Sequence, residues 1–204
     1  MRISTLNLKF ARQLHRMNKQ TKQILFVALL VLSMAALRVV NTEMHWYNLV
    51  PVAALGLFSG SVVNRKWSVL IPLGAMFLSD LGLSLFTQTP GFYGISQWVN
   101  YIALALVTIL GMGLQQRNTV NVLGYTLSGS LLFFVLSNFG TWLGGFYGYT
   151  TEGLVQCFTM AIPFYKSELS TTFFMNSLMG DMLFSVIAFT AYNFYARSLQ
   201  TQTV

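Results

Sequence analysis

The chain carries very little charge. Only 8% of its 204 residues are charged, whereas 54% are hydrophobic. A soluble domain contains roughly 25% charged residues, and a smaller number cannot cover a water-exposed surface. We therefore expect lipid to cover much of this protein, which makes the bilayer its first expected partner.

Residues that build catalytic and metal sites are also scarce. The single cysteine, Cys157, excludes an intrachain disulfide, and two histidines and five acidic residues leave few ways to assemble acid–base chemistry. The sequence contains no GxSxG, HExxH or P-loop motif. We predict that the chain is not an enzyme, holds no cofactor and cannot by itself drive transport with ATP.

The basic residues are concentrated at the amino terminus. The net charge is +7, and six of the twelve Lys and Arg residues lie within residues 1–22. Hydrophobic residues recur there at helical spacing, which fits an amphipathic helix on an anionic membrane surface or a solvated basic tail. No zinc-finger spacing accompanies them, so we expect no nucleic-acid partner. Residues 1–22 are interpreted as a basic, amphipathic cytoplasmic N-terminus.

Six apolar segments follow, and each is close to the roughly 17–25 residues that cross a bilayer as a helix. They cover residues 24–40, 47–63, 67–86, 97–114, 120–142 and 171–195. Helices are required because lipid offers backbone groups no hydrogen-bond partner. The predicted fold class is therefore all-α: a polytopic membrane domain of six transmembrane helices in residues 23–197, followed by a cytoplasmic tail, 198–204.

The first segment has a second interpretation. Its basic start, short apolar run and the residues Ser33, Met34 and Ala35 are also typical of a cleavable signal peptide. We favour a retained helix, because six crossings place ten basic residues inside and only Arg38 and Lys166 outside. This is a strong positive-inside bias. Both chain ends are then cytoplasmic, and we expect a multi-pass protein of the bacterial cytoplasmic (inner) membrane.

Local signals modify this simple bundle. The connection 143–170 is expected on the outer side, and its middle, 154–164, is predicted to form an interfacial or re-entrant helix that caps the bundle. Pro72 predicts a kink in the third span. Gly56 and Gly60 have the GxxxG spacing at which another helix can approach closely.

Two acidic residues, Asp80 and Asp181, lie inside predicted spans. A carboxylate in lipid costs a few kcal/mol, so it normally faces the bundle interior or a cavity. Both are candidate ligand-binding residues, and Asn176 and Ser177 lie about one turn before Asp181, where they can share its helix face. The alternative is structural: such residues lock helices together, with Asp80 tied to Arg38 near the outer interface.

A second group of candidates lies in residues 128–149, which begin as an apolar helix and end as an aromatic, glycine-rich loop. Asn138 and Trp142 are one turn apart and can face one site, over which Tyr147 and Tyr149 would stand as a lid. Trp46 is a further candidate contact. Anchoring at the membrane interface explains tryptophans at span ends without any ligand, so both interpretations stay open.

Two residues are weak candidates for binding a metal. His45 lies in the outer first loop, and Cys157 is a solitary thiol that could coordinate a soft metal. A lone loop histidine is rarely a ligand, and a lone cysteine usually packs as a small hydrophobe. We therefore predict no metal site.

Five pieces of the chain resemble an uncharacterised family of bacterial membrane proteins. They are NLVPVAALGLFSG (48–60), IPLGAMFLSD (71–80), SLLFFVLSNFGTW (130–142), CFTMAIPF (157–164) and GDMLF (180–184). That family is similar to the S-components of energy-coupling-factor (ECF) vitamin transporters. The resemblance implies an S-component-like bundle that binds a vitamin- or cofactor-sized molecule near its outer face, with a transmembrane coupling subunit and ATPases as partners.

The same resemblance includes solitary S-components, a cobalamin-binding group among them, which work without such partners. The small-residue repeat with which S-components meet a coupling subunit is interrupted here, since Leu32 lies between Ala28 and Ala36. We therefore carry two hypotheses. The chain is a substrate-binding subunit for uptake of a small molecule, or it is a membrane structural or interaction protein that binds partner proteins and no ligand.

Overall fold

A computed structural model describes residues 19–44, 51–161 and 173–200. For residues 19–25, 27, 173–176 and 195–200 it describes the backbone and not the side chains. The described ranges are helical and contain no strand, which confirms the all-α class. The helices are α1 (Lys19–Glu43), α2 (Val52–Val62), α3 (Arg65–Ser68), α4 (Leu70–Phe86), α5 (Ile95–Met112), α6 (Thr119–Leu143), α7 (Thr151–Ala161) and α8 (Phe173–Gln200).

Within the described ranges, three helical segments are long and apolar enough to cross a membrane. They are Arg65–Phe86, Ile95–Met112 and Thr119–Leu143. Large apolar side chains such as Phe86, Ile102 and Val120 are exposed on their outer faces. An exposed apolar surface of this extent is unfavourable in water but suits lipid, so the structure indicates a membrane protein.

The short helix α2 is the centre of the bundle. Eight of its 11 residues are buried, and it packs against α3, α4, α5, α6 and α8. An apolar helix that is buried on all sides belongs to a core. At about 1.5 Å per residue it rises roughly 16 Å, about half of a hydrocarbon layer of ~30 Å. The described part of the predicted second span, 47–63, is therefore a half-length core helix.

Glycines bring α2 against α5. A Cβ on Gly60 would lie 2.0 Å from the carbonyl oxygen of Thr108, and one on Gly111 would lie 2.6 Å from the carbonyl oxygen of Leu57. A Cβ on Gly56 would lie 3.1 Å from the nearest side chain. The GxxxG pair is thus used inside the chain, where it lets two helices approach at backbone distance.

The third predicted span is interrupted at Val69, between α3 and α4. Pro72 explains the interruption, because a proline lacks an N–H and its ring clashes with the carbonyl group four residues earlier. Here that carbonyl belongs to Ser68. Its oxygen instead accepts a hydrogen bond from the hydroxyl of Ser59 on α2, at 2.7 Å. The interruption therefore ties α3 to the core helix.

Charged side chains from other parts of the chain cap both ends of α2. Its N-cap residue is Pro51, which supplies no side-chain cap, and the carboxylate of Asp181 accepts a hydrogen bond from the N–H of Ala54 at 2.9 Å. At the other end, Arg117 donates to the carbonyl oxygen of Ser61. A helix carries partial positive charge at its N-terminus and partial negative charge at its C-terminus, so both contacts have the favourable sign.

The helix predicted in the outer connection is α7, which packs against α6. It covers Thr151–Ala161 and so begins three residues before the predicted 154–164. The end of that predicted segment, most of residues 1–22 and the tail from residue 201 lie outside the described residues.

Candidate functional site

A cavity of about 420 Å³ lies where α1 and α6 end and α2, α5 and α8 begin, with the middle of α4 and the second half of α7 also in its wall. This volume falls within the roughly 300–1,000 Å³ of small-molecule sites. Its wall is mixed in character. Polar side chains include Arg38, Tyr93, Asn100, Ser137 and Ser177, and apolar ones include Val52, Met76, Phe133, Phe134 and Met160.

Some of the predicted ligand-binding residues line this cavity and others do not. Asn138 and Tyr147 are part of the wall. Asp80, Trp142 and Asp181 are absent from its described lining, and each instead holds a neighbouring segment in place. For these three, direct contact with a ligand stays a prediction.

Three further candidates cannot be placed. His45 and Trp46 lie outside the described residues, as does the side chain of Asn176. The predicted ligand contacts of Trp46 and Asn176 and the weak metal candidacy of His45 therefore stay predictions.

Asp80 is completely buried and joins three parts of the bundle. Arg38 on α1 forms a salt bridge with its Oδ1 and donates a second hydrogen bond, at 2.7 Å, to the hydroxyl of Ser79. Gln97 and Tyr101 on α5 donate to Oδ2 at 2.7 and 2.5 Å. Both carboxylate oxygens are satisfied, partly by a charged donor. The geometry matches the structural interpretation, in which Asp80 and Arg38 tie helices together.

Asp181 lies deeper, beside the N-terminus of α2. Besides the N–H of Ala54, its carboxylate accepts the hydroxyl of Ser130 on α6 at 2.7 Å. No Lys or Arg pairs with it within the described ranges, and the group that faces it is the helix end, equivalent to roughly half a positive charge. Val52, the first residue of α2, and Ser177, one turn before Asp181, both line the cavity. Asp181 therefore supports the cavity floor from below.

The loop between α6 and α7 closes one side of the cavity. The indole N–H of Trp142 donates to the carbonyl oxygen of Thr150 at 3.2 Å, which fastens the loop to the end of α6. Gly145 and Gly148 have φ angles of 79° and 77°, a left-handed conformation that glycine adopts without strain. This turn places Tyr147 in the cavity wall, whereas Tyr149, the other residue of the predicted lid, is exposed and absent from the described lining.

Cys157 lines the cavity as a packed thiol. It donates to the carbonyl oxygen of Asn138 at 3.2 Å, and burial raises the pKa of the thiol, which keeps it in the neutral form at physiological pH. Across 19–44, 51–161 and 173–200, no three His, Cys, Asp or Glu residues come together in a way that could hold a metal ion.

Sequence reasoning missed Asn100 and its partner Tyr93. The amide nitrogen of Asn100 donates to the hydroxyl of Tyr93 at 2.8 Å. Its Oδ1 is buried and finds no hydrogen-bond partner in the described structure, although the large majority of buried polar atoms have one. The signal was available, because Asn100 is a polar residue inside the predicted span 97–114 and such residues face the bundle interior.

The fold and the cavity define an all-helical membrane protein with a small-molecule-sized cavity in its bundle. The chain belongs to a family of unknown function, DUF6580, whose sequence profile matches residues 18–202. This confirms the resemblance to an uncharacterised family. No curated protein and no solved structure matches the chain.

Proposed function

We propose that this chain is an integral membrane protein that binds a vitamin- or cofactor-sized molecule, as the substrate-binding, S-component-like subunit of an uptake system. The cavity carries this proposal, because seven helices and two loops of the described ranges converge on about 420 Å³ of space with a mixed polar and apolar wall. Protein interiors are otherwise close-packed, and empty space in them lowers stability. A bundle with only a structural role gains nothing from such a space.

The proposal includes six membrane crossings, with both chain ends in the cytoplasm of a bacterial cell. The distribution of charge supports it, since Arg65, Lys66 and Arg117 lie at the end of the bundle opposite the cavity, and Glu152 lies at the cavity end. By the positive-inside rule the cavity then opens outward. The complete burial of Met34 inside the bundle supports a retained first helix.

The size of the cavity bears on the ligand and on partners. A volume near the lower end of the small-molecule range favours a compact vitamin over a molecule as large as cobalamin. A coupling subunit and ATPases remain part of the proposal. Ala28, Leu32 and Ala36 are exposed along α1, which leaves this face for lipid or for such a subunit.

The alternative of a ligand-free interaction protein relied on small-residue helix faces to bind partners. Gly56 and Gly60 face α5 of the same chain. Because this contact buries the GxxxG pair inside the chain, the pair cannot bind a partner protein. The alternative thereby loses one of its supports, which favours the ligand-binding proposal.

Native mass spectrometry of protein extracted in mild detergent tests the proposal. We expect a retained small molecule, and we expect Tyr147→Ala to weaken its binding about tenfold, or ~1.4 kcal/mol. Tyr149→Ala is the matched control, because Tyr149 is in the same loop, is exposed and does not line the cavity. Lipid and detergent adducts alone, with no thermal shift across a vitamin panel, would refute ligand binding.

Cysteine labelling tests the orientation. In a Cys157→Ser background, Tyr149→Cys and Lys66→Cys place single exposed thiols at opposite ends of the bundle. A membrane-impermeant maleimide applied to spheroplasts should label position 149 directly and position 66 only after permeabilisation. The reverse pattern would overturn the proposed topology.

A further inference from the structure

We propose that the cavity selects an uncharged, flat ligand whose edge carries an N–H or O–H donor beside a carbonyl-type acceptor. Asn100 accepts a hydrogen bond from this donor, and Arg38 donates one to the acceptor. The inference rests on the proposed function, because it names the class of ligand that the same cavity takes.

Asn100 supplies a hydrogen-bond acceptor that is already oriented. Its amide nitrogen is held by the hydroxyl of Tyr93 at 2.8 Å, and the backbone N–H of Tyr93 is itself held by the side-chain oxygen of Gln97 at 3.3 Å. The amide therefore has one fixed end, and its Oδ1 is the end left buried without a partner. A buried acceptor of this kind is satisfied by a donor on a ligand.

Arg38 supplies hydrogen-bond donors, and its positive charge is already balanced by Asp80. Both of its hydrogen bonds, to Ser79 and Asp80, use Nη1, whereas a guanidinium carries five N–H groups on three nitrogens. Nη2 and Nε make no hydrogen bond in the described part of the chain. Arg38 lines the cavity, so these donors can meet an acceptor on a ligand.

Charge balance decides which acceptor fits. The salt bridge with Asp80 neutralises Arg38, and no other charged residue belongs to the described lining. A carboxylate or phosphate group would bring an unbalanced negative charge close to the buried Asp80, which a low-dielectric site disfavours. A carbonyl oxygen satisfies the same N–H donors without that cost.

The remaining wall suits the faces of a ring. Phe133 and Phe134 on α6 and the thioethers of Met76 and Met160 present apolar and polarisable surfaces to the cavity. Phe134 is steadied by an edge contact with Phe158, whose ring centroid lies 6.1 Å away. Aromatic and thioether surfaces beside an unpaired acceptor and free guanidinium donors suit a planar heterocycle with a cyclic amide or imide.

Matched ring compounds test this inference by thermal shift and by titration in detergent. Quinazoline-2,4-dione carries the proposed edge, its N,N-dimethyl derivative lacks the donors, and a carboxylated derivative adds a negative charge. We expect the parent dione to bind at least about tenfold more tightly than either derivative. Asn100→Leu should abolish the preference for the parent over the dimethyl compound.

The same variant separates a binding role from a structural one. Asn100→Leu removes a buried unpaired oxygen and one hydrogen bond to the Tyr93 hydroxyl, which is exposed and can bond to water instead. Without ligand the variant should therefore melt at the wild-type temperature or above, whereas a structural asparagine would lower the melting temperature. Arg38→Lys, which keeps the charge opposite Asp80, should weaken the dione about tenfold. A clear loss of melting temperature in ligand-free Asn100→Leu would overturn its binding role.

The outcomes also distinguish this inference from the proposed function. If the dimethyl compound binds as well as the parent, or if native mass spectrometry finds a retained anion that Asn100→Leu still binds, the ligand class is wrong and ligand binding stands. If no retained ligand and no thermal shift are found, both fall. A retained uncharged heterocycle that Asn100→Leu no longer holds supports both.

Discussion

Asp80 and Asp181 are the same residue type, and both are almost fully buried, at 0% and 1% exposure, yet their charges are balanced in different ways. Asp80 faces a full cation, Arg38, with Gln97 and Tyr101 completing its hydrogen bonds. Among the residues that the structure describes, Asp181 bonds to the N-terminus of α2 and to a serine hydroxyl, with no cation beside it. A carboxylate inside a membrane bundle can therefore be a joint between helices, and its presence alone does not mark a ligand contact.

The two joints also differ in their relation to the cavity. Asp80 bonds to Arg38, a residue of the cavity wall, and so neutralises and positions it. Asp181 bonds to the N-terminus of α2, the helix whose first residue lines the cavity. Substitutions at Asp80 and Asp181 test whether a salt bridge and a hydrogen bond to a helix end stabilise the bundle to different extents.

The largest effect is expected at Asp80. Asp80→Ala leaves Arg38 without its countercharge inside the bundle and should lower the free energy of unfolding by about 4 kcal/mol, measured by detergent-denaturant titration. Replacing both partners, as Arg38→Met with Asp80→Leu, should recover at least half of that loss, because an apolar pair needs no balance. A single Asp80→Ala variant as stable as the wild type would show that Arg38 does not depend on it.

Asp181 should give a smaller loss that depends on the replacement. Asp181→Ala leaves the N–H of Ala54 and the hydroxyl of Ser130 unpaired in the core, at a cost of about 3 kcal/mol. Asp181→Asn keeps an acceptor for Ala54 and should lose only ~1 kcal/mol in the same titration. Equal losses for the two variants would show that the negative charge at the helix end, and not the hydrogen bond, holds α2.

Besides the hydrogen bond to Asp181 at its N-terminus, α2 is held in place by close packing against α5. Gly60→Ala forces a Cβ against the backbone of α5 and should lower the free energy of unfolding by about 2 kcal/mol. Gly74→Ala is the matched control, since nothing lies within 4 Å of its added Cβ and alanine is the better helix former. If Gly60→Ala is as stable as Gly74→Ala, the close approach of the two helices is wrong.

The smallest effect is expected at Glu152, an acid at the surface. Its own backbone N–H and then the Thr150 hydroxyl lower the pKa of its carboxyl below the ordinary value of 4.5. The stabilisation is therefore present above that value and is lost as the pH falls through the lowered pKa. Glu152→Gln should melt slightly below the wild type at pH 7 and match it at about pH 2, in parallel thermal scans. A difference of the same size at both pH values would contradict this assignment.

The sequence was sufficient to predict the helices whose length matches the thickness of a bilayer. The predicted spans 67–86, 97–114 and 120–142 agree with the observed helices within two residues at each end, because a bilayer sets the length of an apolar run. It was insufficient for α2, since an apolar run that faces lipid and one that faces protein have the same hydropathy. Pro51, at the N-cap of α2, is the one local signal of where that helix begins.

The candidate site was predictable to a similar degree. Asn138 and Tyr147 were predicted and line the cavity, and the Arg38–Asp80 pair was anticipated as a structural alternative. The partner of Asp181 was not predictable, because a backbone N–H such as that of Ala54 leaves no signature in a sequence. The pairing of Asn100 with Tyr93 was missed because it depends on the path of the loop between α4 and α5.

The half-length of α2 has an electrical consequence. In the proposed topology, a ligand resting on its N-terminus would sit about halfway across an energised bilayer, so each unit of ligand charge would meet about half of the transmembrane voltage. That is roughly 1.1 kcal/mol per 100 mV. An uncharged ligand would bind with the same affinity in resting and energised cells, and uptake through such a site would be insulated from swings in membrane potential.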